Sequence, residues 1–278
     1  MKLGLNGSTT DQCNLIEDIE VAKASGFDLL ELRTYKIDAY LEEGGTLPDL
    51  KAAFEENGVQ PYAINALEFF TLTETEAEEK QMLEEAEKWC TIAAAINCPY
   101  IVAVPSLLKG QETREEIIDD AVEGLHKLAT IGKKHGVSIA FEFIGVTGFS
   151  VSTLALANEI VNRVHDEYVG LVVDTYHFHL GGSTIESVQA VDKEKIFIFH
   201  VNDAEAGFNK HELNDSHRIF PGLGTIQLES IGKAFKEIGY NEMISLELFR
   251  EDYWKMDKNE LGKEAYKYMK KIVERMFN

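Results

Sequence analysis

The sequence predicts an α/β chain folded as a single (β/α)8 TIM barrel spanning residues 1–278, with its active site at the C-terminal ends of the strands. Eight short, nearly continuous apolar runs recur along the 278 residues, and the stretches between them have helical period. One junction also repeats, as Ser25-Gly26-Phe27, Asn57-Gly58-Val59, His135-Gly136-Val137 and Ile238-Gly239-Tyr240. In each, glycine supplies the left-handed residue that ends a helix, and a strand follows within a few residues.

The runs are Lys2–Asn6, Asp28–Arg33, Pro61–Leu67, Tyr100–Pro105, Ser138–Ile144, Val169–Asp174, Ile196–Asn202 and Met243–Phe249. Strands covered on both faces read this way, so the sheet is parallel. Met82, Ala86, Trp89, Ala93 and Ile96 trace one helical stripe. Thr113 followed by Glu116 forms a capping box, and the helix it opens places Ile117, Ala121, Val122, Leu125 and Leu128 on one face before stopping at Gly136. Eight units use about 35 residues each, the size of a barrel unit with modest loops. The longest insertion, Asp203 to Thr225, is polar and ends in Pro221-Gly222-Leu223-Gly224, a candidate lid. A doubly wound open sheet is the rival, but Asn6-Gly7-Ser8-Thr9 is not its phosphate loop, and no GxxxxGK[ST] occurs.

Composition excludes several classes. With 27 basic against 48 acidic side chains the net charge is −21, which repels nucleic-acid phosphates and anionic membrane surfaces alike. The sequence starts without a secretory apolar region, and no stretch approaches the ~20 apolar residues of a membrane span, so a cytoplasmic protein is expected. Cys13, Cys90 and Cys98 have no CxxC spacing and read as buried, reduced thiols.

Four ionisable residues interrupt or end strands that are otherwise apolar: Glu142, Asp174, His200 and Glu247. A lone buried carboxylate is costly, so each needs a cation or a proton. In a barrel they fall at the ends of strands five to eight and converge on the catalytic face. Three carboxylates and an imidazole without thiolate suit one hard or borderline divalent ion: Mn2+, Co2+, Zn2+ or Mg2+. The alternative, ordinary ion pairs, is weakened because these strands offer no Lys or Arg apart from Arg250 at the very end of the last. Glu142 and Glu247 can also act as an acid–base pair on carbon, beside a metal that stabilises an enediolate. That is isomerase or epimerase chemistry on a hydroxy-ketone.

The segments Phe141-Glu142-Phe143, Val173-Asp174-Thr175-Tyr176-His177-Phe178-His179, His200-Val201-Asn202-Asp203, Arg218 to Gly224 and Leu246-Glu247-Leu248-Phe249-Arg250 resemble the xylose-isomerase-like barrel superfamily of sugar isomerases and epimerases. Within it the similarity extends over the whole chain to the inosose isomerases of bacterial inositol catabolism, including Glu31-Leu32-Arg33-Thr34 and Asn65 to Phe70. The resemblance implies that Glu142, Asp174, His200 and Glu247 ligate one metal, that the two glutamates are catalytic, and that His177 and Arg218 bind the substrate. It implies interconversion of 2-keto-myo-inositol and 1-keto-chiro-inositol. Asn6, Arg33 and Asn65, near strand ends, and Phe69, Phe143, Phe249 and Tyr253, as an apolar wall, are further pocket candidates. His179 reads as structural, and His126, His135, His165, His211 and His217 as surface or loop residues.

The expected partner is a small polyol ketone or ketose, with no nucleic acid and no membrane; a homo-oligomer is compatible with the sequence. A ketose 3-epimerase or hydroxypyruvate isomerase of the same superfamily is the alternative. An abasic-site endonuclease would need further ligands where Arg33, Ala66-Leu67 and Arg218 stand, and its DNA would meet the charge of −21. A non-catalytic sugar-binding barrel has nothing in the sequence to favour it.

Overall fold

The computed structural model describes residues 1–277. Eight parallel strands close into a ring: β1 (Lys2–Asn6), β2 (Leu29–Arg33), β3 (Gln60–Leu67), β4 (Tyr100–Ala103), β5 (Ser138–Glu142), β6 (Val169–Asp174), β7 (Ile196–His200) and β8 (Met243–Leu246). β8 pairs with both β7 and β1, so no edge is left, and the open doubly wound sheet is excluded. The strands fall where the apolar runs predict them. β4, β5, β7 and β8 stop two or three residues earlier than those runs, because Phe143, Ile144, Val201 and Leu248 are buried beneath the loops beyond the rim. Continuous hydrophobicity records burial there, not pairing.

Helix ends follow local chemistry. The helices Leu15–Ser25, Glu76–Ala95 and Arg114–His135 each begin with a reciprocal capping box, from Asn14 with Glu17, Thr75 with Glu78, and Thr113 with Glu116. At the repeated junction Gly26 (φ 100°) and Gly136 (φ 69°) adopt the left-handed conformation, as do Gly58 and Gly239.

The core has two parts. A large layer between strands and helices holds Ile139, Phe141, Phe143, Leu171, Val173 and Phe199 with the apolar helix faces. A smaller cluster, Leu29, Ala63, Val102, Ala140, Val172, Ile198 and Met243, fills the barrel interior. Successive strand residues alternate faces, so the residue two positions further on points inward one layer higher. From Leu29, Ala63, Ala140, Val172 and Ile198 that step reaches Glu31, Asn65, Glu142, Asp174 and His200. On β8, two such steps from Met243 pass through Ser245 to Glu247. An apolar floor thus carries a polar upper layer.

Candidate metal centre and active site

The strand register brings the four predicted donors together. Asp174 on β6 lies opposite His200 on β7, and His200 opposite Ser245 on β8, two residues before Glu247. Glu142, Asp174, His200 and Glu247 each offer one ligand atom, and these atoms lie within 4.8 Å of one another, all in buried residues. The Nδ1 of His200 is 3.5 Å from Glu142 Oε1, 3.9 Å from Asp174 Oδ2 and 3.4 Å from Glu247 Oε2.

The donor set fits one divalent cation. His200 Nδ1 and Glu142 Oε1 are buried without a hydrogen-bond partner, and both face this centre. Buried polar atoms are rarely left so, and an oxygen-rich shell with one imidazole suits a hard or borderline ion. Burial favours a neutral His200, but Glu31, Glu247 and Glu142 outweigh it and hold the imidazole well above its ordinary pKa. Burial, with Glu142 and Asp174 adding to it, pushes the Glu247 carboxyl up to about 7 against the pull of His200 and Arg218. Burial would also raise Asp174, yet Arg218, His177 and His200 bring it down to about 2. Burial and the neighbouring charges thus set the proton affinities of these groups jointly.

Arg218 reaches this cluster from the loop after β7 and is itself buried. Its Nη1 donates to Asp174 Oδ2 at 2.8 Å and to Glu247 Oε2 at 3.2 Å, and its Nε to Asp215 at 2.9 Å. A basic partner for the strand carboxylates therefore does exist, but it is Arg218 from a loop, while Arg250 pairs with Glu205. The guanidinium also packs on the rings of Tyr176 and Phe249, 4.8 and 5.2 Å away. Its position depends on Asp203, whose carboxylate accepts the backbone N–H groups of Ala204, Gly222, Gly224 and Ile226. Asp203–Ala204 pairs antiparallel with Arg218–Ile219, and Glu205 binds Arg250. The base of the predicted lid is thus tied down, while residues 206–212 are exposed.

His177 sits in the turn-and-helix Thr175–Gly181 directly after β6, its backbone N–H donating to Asp174 Oδ1 at 2.8 Å. Arg218 Nη2 lies 3.0 Å from His177 Nε2. Arginine can only donate, so Nε2 accepts and the ring proton of neutral His177 belongs on Nδ1. Burial, then Arg218, lowers the pKa of this histidine, which keeps it neutral. Its Nδ1 is buried without a partner.

The outer candidates separate. Asn6 and Asn65 donate to Glu247 Oε1 at 3.1 and 3.4 Å, and Arg33 lies 3.6 Å from the same oxygen with its Nε unpartnered. Phe249 packs against both Arg33 and Arg218. Phe143 does not line a pocket: it alternates with Glu142 and belongs to the strand–helix layer. Tyr253 stacks on Phe220, and Phe69 is half exposed on the rim beside Phe149. Near Phe69 a cleft of about 780 Å³ opens between the loops after β3 and β4, lined in part by Thr34, Ala66, Leu107 and Lys109.

One residue carried the same signal as the four donors and was not singled out among the strand-end charges. Glu31 interrupts the apolar run Leu29-Leu30-Glu31-Leu32, is fully buried, and meets His200 Nε2 with both oxygens at 3.0 Å.

A family model described as xylose isomerase-like TIM barrel matches residues 19–272. The inosose isomerase of Bacillus velezensis is 38% identical over 279 aligned residues, covering 100% of this chain and 99% of that protein. The inosose isomerase of Bacillus subtilis is also 38% identical, over 100% of both chains. The crystal structure of the IolI protein with a bound zinc atom superposes with a TM-score of 0.95 at 38% identity, over 100% of both chains. The chain belongs to the xylose isomerase-like TIM barrel family, where it stands with the bacterial inosose isomerases.

Proposed function

We propose that this enzyme interconverts 2-keto-myo-inositol and 1-keto-chiro-inositol by moving the ketone to the neighbouring carbon. The observation that carries the reading is the buried centre of Glu142, Asp174, His200 and Glu247, in a chain 38% identical over its full length to proteins named inosose isomerase. A divalent ion held by those four residues supplies the positive charge against which an enediolate forms.

The chain's own residues do the rest. Glu142 and Glu247 flank Asp174 and His200 around the barrel, an order that supports their working on opposite sides of a bound substrate. One takes the proton from the hydroxyl-bearing carbon beside the ketone; the other delivers a proton to the former carbonyl carbon. The hydroxyl proton passes to the former carbonyl oxygen, which completes the isomerisation. His177 presents its Nδ1–H, and Arg33 its unpartnered Nε–H, to substrate oxygens. Arg218 holds Asp174 and Glu247 in place and balances their charge as the oxyanion develops.

The substrate class follows from charge. At −21 the protein disfavours phosphorylated sugars, nucleic acid and anionic membrane surfaces, and favours a neutral polyol ketone in the cytoplasm. No helix among the described residues is long and apolar enough to cross a membrane. Side-by-side turnover on 2-keto-myo-inositol, fructose-like ketoses and hydroxypyruvate tests the assignment. The inosose should have the highest kcat/KM; a ketose turned over at least tenfold better would make the enzyme a 3-epimerase instead.

A further inference from the structure

Glu31 lies on the inward face of β2, one layer above Leu29, with no exposure to solvent. A buried carboxylate in an apolar strand is costly unless a charged or donor group meets it. His200 meets it: Nε2 lies 3.0 Å from both Glu31 oxygens, in a bifurcated contact. The other ring nitrogen, Nδ1, has no hydrogen bond and faces Glu142, Asp174 and Glu247.

When an ion takes the place of one ring proton the imidazole keeps a single proton, and the partner of one nitrogen decides which of the two is free to bind. A carboxylate can only accept, so the proton belongs on Nε2 and the lone pair on Nδ1. We propose that Glu31 is the positioning residue of the metal centre, fixing the ring plane and the Nε2–H tautomer of His200 so that Nδ1 is the nitrogen offered to the ion. The inference rests on reading the four donors as a metal site. It adds a fifth residue, contributed by a strand on the far side of β1 from β8, so that assembly of the centre draws on five of the eight strands.

The test compares zinc affinity of the full-length protein and Glu31→Gln by competition with a chromophoric chelator, with circular dichroism and thermal melting to follow folding. Glutamine keeps the size of the side chain but not its charge or its acceptor-only character. A roughly 10- to 100-fold weaker zinc affinity is expected with the fold intact. A glutamate with a merely structural role would lower the melting temperature and leave zinc affinity unchanged. In 15N-histidine-labelled wild-type protein, assigned with His200→Asn, zinc should shift the Nδ1 resonance of His200 while Nε2 stays protonated. Zinc on Nε2, or a Glu31→Gln affinity within twofold of wild type, overturns the proposal. If Glu31→Gln does not fold, the wild-type spectrum decides alone. A wild-type protein that takes up no zinc overturns the metal-centre reading instead, which separates the two failures.

Discussion

Glu247 is held from four directions: Asn6, Asn65 and Arg33 converge on one carboxylate oxygen and Arg218 on the other. Such a side chain cannot swing away, so removing its charge should leave the fold intact and stop the reaction. Glu142→Gln and Glu247→Gln are each expected to lower kcat by roughly 10²- to 10⁴-fold with an unchanged circular dichroism spectrum. Near wild-type turnover in both would sink the two-glutamate mechanism. Protons and metal also compete at this cluster. His200 holds its proton well above the ordinary histidine range, and Glu247 is raised to about 7, so both must lose protons when an ion binds. Zinc or manganese affinity should therefore rise with pH between about 6 and 8. Titration calorimetry in two buffers of different ionisation enthalpy should show net proton release near neutrality; uptake or no exchange would contradict the proton assignment. The four candidate donors drew attention in the sequence because four charges interrupt or end neighbouring apolar strands together, where one alone could be an ordinary ion pair. Glu31 was legible by that rule too. The partners of Arg218 were not, since nothing in a polar loop says which strand carboxylates it folds back upon.

At the scale of the element, the barrel is a stack of inward layers, and the loops above it are fixed by close backbone approaches and one buried carboxylate. Gly145, after β5, packs so tightly on the His177 segment that a Cβ there would lie 2.1 Å from the carbonyl oxygen of His177 and 2.6 Å from the amide nitrogen of Gly181. Gly145→Ala should push that segment outward, costing roughly 1–3 kcal/mol in a denaturant melt and raising KM through His177. An unchanged KM would show that His177 does not bind substrate. Asp203→Asn loses a charged acceptor shared by four backbone amides and is expected to cost about 2–3 kcal/mol. Its arrangement was not readable in advance, because Asp203 looks like any other charge in a polar loop. The strands and helix ends were readable, since short continuous apolar runs, capping boxes and left-handed glycines act within a few residues. Strand ends were read too long wherever apolar residues continue under a loop, as at Phe143 and Leu248.

For the whole molecule, closure of the ring completes the centre: Glu142, Asp174, His200 and Glu247 come from the neighbouring strands β5 to β8, and Glu31 on β2 is brought to His200 by the pairing of β1 with both β8 and β2. An ion bound by the folded barrel and not by the unfolded chain stabilises the fold, by about 2.7 kcal/mol at a free concentration one hundred times Kd. Saturating zinc or manganese should accordingly raise the melting temperature of the wild type and leave that of His200→Ala nearly unmoved. The excess of negative charge over the molecule adds a general attraction for the cation and works against phosphorylated competitors. Enediolate isomerisation by a metal-dependent glutamate pair can be followed by proton NMR of 2-keto-myo-inositol in D2O with the manganese-loaded enzyme, at dilute metal or after its removal. Deuterium at the carbon beside the ketone is expected, together with the resonances of a second inosose. An inosose that stays fully protonated and unchanged with the metal-loaded enzyme would contradict it.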